Sequence, residues 1–388
     1  RVGCCTRFRR RHRLTQATSP ESNMTTLQLP SLPNGLSPEW LTACLSAAGI
    51  AAGAKVTAAR RTGVGEGVGM MSELSRLQLT WSEPHPDLPS SVIAKYASTN
   101  PVNRAAANGF HVYEREVRYF LEVDTHTTMR TPRVYFAKLE PDNYLILMED
   151  LGEYRIGSQA AGAGLEDATL AIDQLAKLHA PFWGNTQSLD WVPHIQGSYH
   201  ADGLLMMATN GWDPMVSNFG VHIPESVRAG RDAVLAAIPA LQAQMNSAPL
   251  TLIHGDFRMD NVLFGQKPEQ DPIVILDWQG PLKAKGIVDV AVLLGQNTLT
   301  DVRRMHERAL IERYVSGLAS LGVKYPLATA WEDYLDALLY QWCYCATITG
   351  SLDGSNPTAA AWMAQCASRQ SAATVDHNLY SRLSRFGS

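Results

Sequence analysis

No stretch of the chain approaches the ~20 consecutive apolar residues that span a bilayer. Its most apolar segments, such as Val288 to Leu294, are far shorter. A membrane span is therefore not expected, and a soluble, cytoplasmic protein is. Cysteine is scarce: of 388 residues only six are cysteine (Cys4, Cys5, Cys44, Cys343, Cys345 and Cys366), and none stands in a C-x-x-C pair. That spacing excludes the usual zinc knuckles and fits scattered thiols in a reducing compartment. Charged residues make up only 18% of the chain, for a net charge of −4. Their distribution is uneven. Residues 1–23 hold six arginines (Arg1, Arg7, Arg9, Arg10, Arg11, Arg13) against Glu21 alone, a balance of +5 that leaves −9 on the remainder. An acidic body argues against nucleic acid as a partner, since phosphate binding needs a basic surface. The basic head has no apolar core of a signal peptide. Two readings of it stand: an organellar import segment, or sequence upstream of a start at Met24, which the first residue, Arg1, favours. On the second reading residues 1–23 form a disordered or non-native tail.

Internal repeats and long low-complexity tracts are missing as well. What the sequence does have is 45% hydrophobic residues, enough for a sizeable core, and a length that favours two lobes. Ser37-Pro38-Glu39 opens a first helix with Ser37 as its cap. Strand-like runs follow at Lys55–Thr62, Ser75–Thr80 and Ser91–Tyr96. A helix is expected from about Arg104 to Val123, where Phe110, Tyr113, Val117, Phe120 and Leu121 share one face. Arg133–Phe136 and Tyr144–Met148 read as a hairpin, and helices are expected at roughly 165–182, 225–245, 301–321 and 328–349. A sheet-rich part followed by a helix-rich part gives an α+β, bilobal expectation. Residues 24–149 would form a nucleotide-binding lobe with a small antiparallel sheet. Residues 150–388 would form a larger, mainly helical, catalytic and acceptor-binding lobe.

The sharpest signal is His254-Gly255-Asp256-Phe257-Arg258-Met259-Asp260-Asn261, followed by the apolar run Ile273–Leu276 and Asp277-Trp278-Gln279. Val262–Phe264 and Ile273–Leu276 read as a hairpin, which brings the 254–261 loop and Asp277 to one edge. Phosphoryl transfer needs a carboxylate to orient the attacking hydroxyl and take its proton, and hard oxygen ligands to hold magnesium on nucleotide phosphates. Asp256 fits the first role, and Asn261 with Asp277 the second. An amide oxygen suits the metal site because it adds no further negative charge beside a triphosphate.

In these residues the chain resembles the aminoglycoside phosphotransferase/choline kinase group, and within it the ecdysteroid-kinase-like branch. The resemblance runs from about Thr57 to about Arg369. It includes Gln174-Leu175-Ala176-Lys177-Leu178-His179-Ala180, Gly286-Ile287-Val288-Asp289-Val290-Ala291 and Arg304-Met305-His306-Glu307-Arg308. It implies a protein-kinase-like fold, ATP and Mg2+ as cofactors, and transfer of the γ-phosphoryl group to a small-molecule hydroxyl acceptor. It also implies that Lys95 contacts the nucleotide's α- and β-phosphates. Helical geometry leaves Glu114 and Glu116 both open as the partner of that lysine; the family pattern Tyr-x-x-Glu-Val selects Glu116. The phosphate-covering loop falls on Gly63–Gly69, with Gly65, Gly67 and Gly69 approaching the nucleotide, although the run satisfies neither G-x-G-x-x-G nor a Walker loop. Glu149-Asp150-Leu151 occupies the place of the adenine-binding hinge, so Glu149 and Leu151 are expected to present backbone groups to the base. Arg258 either neutralises the transferred group or forms a structural ion pair with Asp260 or another acid. His254 is expected to hold the catalytic loop, Asp289 to cap a helix or brace that loop, and His179 to be a satisfied core histidine.

A pseudokinase or nucleotide-binding partner protein is the competing class; the complete set Lys95, Asp256, Asn261 and Asp277 argues against it. Protein-kinase-like activity is the other alternative, opposed by the lack of an activation segment and of Ala-Pro-Glu after Asp277. The acceptor should bind in the helical lobe. Trp212, Trp331, Tyr334, Tyr340, Trp342 and Tyr344 are the aromatic candidates, with core packing the expectation for most of them. An aromatic-lined pocket would favour a steroid, acyl or other apolar alcohol. No residue pattern addresses the oligomeric state.

Overall fold

The computed structural model of the protein describes residues 27–30, 34–50, 53–64, 71–83, 85–141, 143–352 and 355–387. The 1–23 segment and Gly65, Gly67 and Gly69 lie outside these residues. Helix α1 (Pro38–Ala47) starts where the Ser37 hydroxyl accepts the Trp40 N–H, with Pro38 in the first turn. A proline there gives up an N–H that would have no helical partner anyway. Strands β1 (Val56–Val64), β2 (Ser72–Trp81), β3 (Ser91–Ala97), β4 (Val134–Glu140) and β5 (Asn143–Glu149) form an antiparallel five-stranded sheet in the order β1-β2-β3-β5-β4.

The central strand β3 divides its side chains by the two-residue period of a strand. Val92, Ala94 and Tyr96 pack with Leu41 and Leu45 of α1 and with Phe136 and Leu147. Ile93 and Ala97 go to the opposite face, with Tyr113, Val117, Tyr144 and Ile146. Lys95 shares the parity of Ile93 and Ala97, so it too is sent toward the helical segment after β3.

That segment departs from the single 104–123 helix expected. It forms α2 (Pro101–Gly109) and α3 (Val112–Arg118), then a wide π turn over Tyr119–Val123 and a 3-10 turn over Asp124–His126. The break sits at His111, whose φ of 52° lies in the left-handed region and stops the hydrogen-bond ladder just after Gly109. The His111 carbonyl then accepts the Arg115 N–H at 3.0 Å and starts α3 afresh.

Beyond β5 come β6 (Arg155–Ile156), α4 (Leu165–His179), α5 (Tyr199–Phe219), α6 (Arg231–Met245), β7 (Thr251–Ile253), β8 (Val262–Phe264), β9 (Ile273–Ile275) and β10 (Leu282–Ala284). Helices α7 (Ile287–Val292), α8 (Thr300–Ser320), α9 (Leu327–Ser351) and α10 (Pro357–Asp376) complete the larger lobe. Three helices lie outside the expected helical ranges, α5, α7 and α10. Pro214, Gly203 and Gly211 mask α5 in the sequence, because each is a poor interior helix residue. Gly211 has a packing reason. A Cβ there would stand 2.3 Å from the Ala346 carbonyl oxygen, and one on Gly350 would stand 2.0 Å from that of Gly211, so α5 and α9 touch backbone to backbone. The expected 225–245 helix is interrupted between Arg228 and Arg231.

Two small sheets, β6-β8-β9 and β10-β7, lie in this lobe. In the β8–β9 hairpin Val262 faces Ile275, and the Leu276 N–H donates to the Asn261 carbonyl at 2.8 Å. Asn261 and Asp277 are thereby fixed side by side. Among the described residues no helix is long and apolar enough to cross a membrane.

Candidate active site

The 254–261 loop is built around a buried carboxylate. Asp289, in the first turn of α7, accepts the His254 N–H at 2.7 Å and the Gly255 N–H at 3.1 Å, and also meets His179 Nε2 at 3.2 Å. His179 Nδ1 pairs with the Tyr314 hydroxyl at 2.7 Å. Both histidines are fully buried. His254 Nε2 lies 2.9 Å from the Leu276 carbonyl oxygen, and its Nδ1 accepts the Asp256 N–H at 3.3 Å. The ring therefore ties the loop to the strand that delivers Asp277. Gly255 makes the turn possible. Its φ is +78°, and a Cβ there would lie 2.0 Å from the Gly280 carbonyl oxygen, so neither conformation nor space admits a side chain.

The turn presents Asp256, whose side chain is 43% exposed. Arg258 Nε donates to Asp256 Oδ1 at 2.9 Å, while Asn261 Nδ2 donates to Asp256 Oδ2 at 3.2 Å and to its carbonyl oxygen at 2.9 Å. Arg258 thus pairs with Asp256 itself; Asp260 stands farther off, at 3.9 Å. The guanidinium also lies over Trp362, 5.2 Å from the ring centroid. A carboxylate oxygen accepts more than one hydrogen bond, so Asp256 keeps capacity for a further donor.

Across the lobes, Lys95 Nζ lies 2.6 Å from Glu116 Oε1 and 3.0 Å from Asp277 Oδ1. Lys95 and Glu116 are buried, and the Asp277 side chain is one-third exposed. Glu114 instead meets His111 and Arg118 at the surface. One ammonium between two carboxylates leaves an excess negative charge. Burial presses Lys95 toward neutrality, but Asp277 and Glu116 outweigh it and hold its pKa above the ordinary value. Asp277 receives most of the benefit: burial opposes its charge, yet Lys95, aided by His254 and Arg258, brings its pKa below the carboxylate range. Glu116 carries the excess, because burial and the nearby Asp277 raise its pKa despite Lys95. Asp277 is itself held at a φ of 62°, and Trp278 beside it stacks on Tyr119 at 3.6 Å between centroids.

Glu149 and Leu151 flank the connection out of β5. Glu149 accepts the Arg133 N–H at 2.7 Å and pairs with Arg130 at 2.7 Å. Leu151 turns back so that its carbonyl takes the Tyr154 N–H at 2.9 Å. Asp150, between them, receives Arg76 (2.5 Å), Ser91 (2.7 Å) and the Gly152 N–H (2.9 Å), which pins the segment to β2 and β3.

The family model described as "ecdysteroid kinase-like family" matches residues 66–182 and 203–324, more than half of the chain. The chain belongs to the ecdysteroid kinase-like family. Among solved structures it is similar to the microcompartment-associated aminopropanol kinase, at 16% identity with a TM-score of 0.51, covering 84% of this chain and 94% of that one. It is also similar to wild-type aminoglycoside 2'-phosphotransferase-IIIa in its GDP complex, at 14% identity with a TM-score of 0.50, covering 83% and 94%. At these identities the likeness shows the fold, which is bilobal and protein-kinase-like. No curated protein sequence matches the chain.

Within this ecdysteroid kinase-like site, both donor contacts of the Asn261 amide nitrogen go to Asp256. No donor among the described residues reaches its Oδ1. An amide oxygen and a carboxylate are hard donors suited to magnesium. Among the described residues no group of three or more His, Cys, Asp or Glu is placed to hold a metal, so a cation held here would draw its remaining ligands from phosphate and water. Of the six aromatic candidates, Trp212, Tyr334, Tyr340 and Trp342 are buried in the core. Trp331 lies under Arg308 and beside His377. Tyr344 is partly exposed, with its hydroxyl 3.5 Å from His200 Nε2.

Sequence reasoning missed two residues at this site. Gln279 Nε2 donates to Ser72 at 2.6 Å and to Glu116 at 3.3 Å, closing the gap between sheet and helix; its position two after Asp277 was the available signal. Arg115 is the other. It is buried at 3% exposure next to Glu116, and nothing in its local sequence announces that.

Proposed function

We propose that the chain transfers the γ-phosphoryl group of ATP to a hydroxyl of a small molecule. The observation that carries this reading is the buried Lys95 Nζ, held at 2.6 Å by Glu116 and 3.0 Å by Asp277 from the opposite lobe. That arrangement joins a phosphate-binding cation to the edge where Asp256 and Asn261 stand. Asp256 orients the acceptor hydroxyl and takes its proton as the oxygen attacks; the bond between the γ-phosphorus and the bridging oxygen breaks and ADP leaves. Arg258 holds Asp256 aimed through its 2.9 Å hydrogen bond, and its charge lies where negative charge develops on the transferred group. Lys95 binds the nucleotide phosphates, and Glu149 and Leu151 offer backbone groups to the base. Magnesium, held by Asn261 and Asp277 when bound, neutralises phosphate charge. The aminopropanol kinase and aminoglycoside phosphotransferase among its structural relatives support a small-molecule acceptor over a protein one.

The test is a screen of hydroxylated metabolites for ATP consumption in the presence of magnesium, beside a thermal-shift titration with ATP. A protein that neither binds ATP with magnesium nor consumes it with any alcohol would sink this reading in favour of a pseudokinase.

A further inference from the structure

The residue after Glu114 in α3 is an arginine without an acid. Arg115 is 3% exposed; among the described residues its Nε has no hydrogen-bond partner, and its one hydrogen bond is a long 3.4 Å contact from an η-nitrogen to the Pro281 carbonyl oxygen. Arg118, one turn later, meets Glu122, Glu114 and Asp190; no carboxylate among the described residues pairs with Arg115. A guanidinium stays protonated in proteins. Leaving such a charge buried and uncompensated is strongly unfavourable, and surrounding it with carbonyls and phenols relieves only part of that.

One neighbour, His200, also carries a buried polar atom with no partner among the described residues. Phe110 seats against Gly203, where a Cβ would come within 3.1 Å of the ring, and this brings the first turn of α5 under α3. His200, on that turn, has a buried Nδ1 with no partner, while its Nε2 lies 3.5 Å from the Tyr344 hydroxyl. Burial, aided by the charge of Arg115, holds the imidazole pKa down to about 3, so the ring is neutral. If the Tyr344 hydroxyl donates to Nε2, the ring proton sits on Nδ1 and is a free donor. Pro281, whose carbonyl Arg115 meets, directly follows Gly280, where an added Cβ would lie 3.5 Å from the Asp256 Cβ, so the group stands beside the turn that presents the proposed base.

We infer that Arg115, with His200 and Tyr344 beside it, forms an anion-binding subsite for the acceptor, so that the molecule phosphorylated carries a carboxylate or similar oxyanion as well as its hydroxyl. The inference rests on the kinase reading above and narrows its substrate class. An oxyanion supplies the counter-charge that Arg115 lacks among the described residues, accepts from its unpaired Nε, and fixes the acceptor so that a hydroxyl reaches Asp256. A planar guanidinium suits a carboxylate's two oxygens better than an ammonium does.

The experiment compares matched pairs of hydroxylated carboxylic acids and their methyl esters, a hydroxy fatty acid and a hydroxylated steroid acid among them. It uses the full chain with ATP and magnesium. In the wild type kcat/KM for the acid should exceed that for the ester by about 10- to 100-fold, the range of one charge-assisted hydrogen bond or a pair of them. Arg115→Gln should bring the ratio to about one, and Arg115→Lys should restore part of it. In parallel, calorimetric titration with inorganic sulfate should show binding to the wild type that Arg115→Gln loses, whether or not an acceptor has been found. Equal turnover of acid and ester, a ratio unchanged in Arg115→Gln, or sulfate binding that is absent or indifferent to Arg115 would each overturn the subsite. Failure of ATP and magnesium to bind at all would instead overturn the kinase reading.

Discussion

Replacing Lys95 with methionine keeps the volume of the stem and removes the charge. In the native protein that ammonium lies 2.6 Å from Glu116 and 3.0 Å from Asp277, so the variant leaves one buried and one partly exposed carboxylate without their cation. Breaking a buried pair by removing one partner costs about 3–5 kcal/mol. The one-third exposure of Asp277 lets water screen its half, which points to the lower end. At about 2–4 °C per kcal/mol for a larger domain, a cost of about 3 kcal/mol should lower melting by roughly 6–12 °C. The loss should also depend on pH with a definite sign. Glu116 already has a raised pKa in the folded state, and removing Lys95 raises it further. A carboxyl whose folded pKa exceeds its unfolded value binds more protons when folded, so stability is greatest below the unfolded value and declines as pH rises through the folded one. Lys95→Met should therefore lie closer to wild type at pH 5 than at pH 8. The double variant Lys95→Met/Glu116→Gln should recover much of the loss at pH 8. Differential scanning fluorimetry at the two pH values decides the matter. A single variant melting within about 2 °C of wild type at pH 8, or one with the same deficit at both pH values, would refute the charge argument.

Asp256→Asn should keep ATP affinity but lose turnover by ~10²–10⁴ once an acceptor is known, because the amide keeps the shape and cannot take the proton; near-wild-type turnover would contradict the assignment. Asp277→Ala should abolish the magnesium-dependent part of the thermal shift given by ATP, and a persisting shift would remove Asp277 from the metal site. Gly255→Ala, forced to a φ of +78° with its Cβ against the Gly280 carbonyl, should cost on the order of 1–3 kcal/mol in chemical denaturation and displace Asp256. A fully stable and active variant would show that the loop has room to shift.

The parts of the fold that were legible share one property: their signal is local. Ser75–Thr80 of β2 alternates in burial, and Val262–Phe264 and Ile273–Ile275 pair as the hairpin that sets Asn261 beside Asp277. What was illegible depends on distant partners. A helix through Pro214 and Gly211 contradicts propensity, and α5 forms because Gly211 is the point at which α9 crosses it. The break at His111 follows from a left-handed residue that is neither glycine nor asparagine. Most of the aromatic set is core, in line with the packing expected of it, but aromatic content does not say which ring meets a cleft.

Arg115 and Glu116 show why adjacent positions in one helix escape such reading. A turn of about 100° separates successive side chains, so neighbours on α3 face different lobes. Glu116 turns to the sheet, where strand parity has already delivered Lys95. Arg115 turns to the larger lobe, toward the Pro281 carbonyl. From sequence the pair resembles any alternating charge on a solvated helix, and an i,i+4 partner would be sought for each. In the fold each has lost that option through burial. The acid finds a lysine 21 residues earlier in the chain, and the base finds no acid among the described residues. A buried cation in that position raises the energy of the folded chain unless an anion arrives to share the site. Because both side chains hang from the seven-residue helix Val112–Arg118, any ligand that draws on Arg115 also acts on the element that positions Glu116 and, through it, Lys95. Acceptor and nucleotide are therefore expected to bind with coupled affinities. Measuring the ATP dissociation constant with and without a saturating hydroxy acid, in wild type and in Arg115→Gln, would show a difference in the first and none in the second.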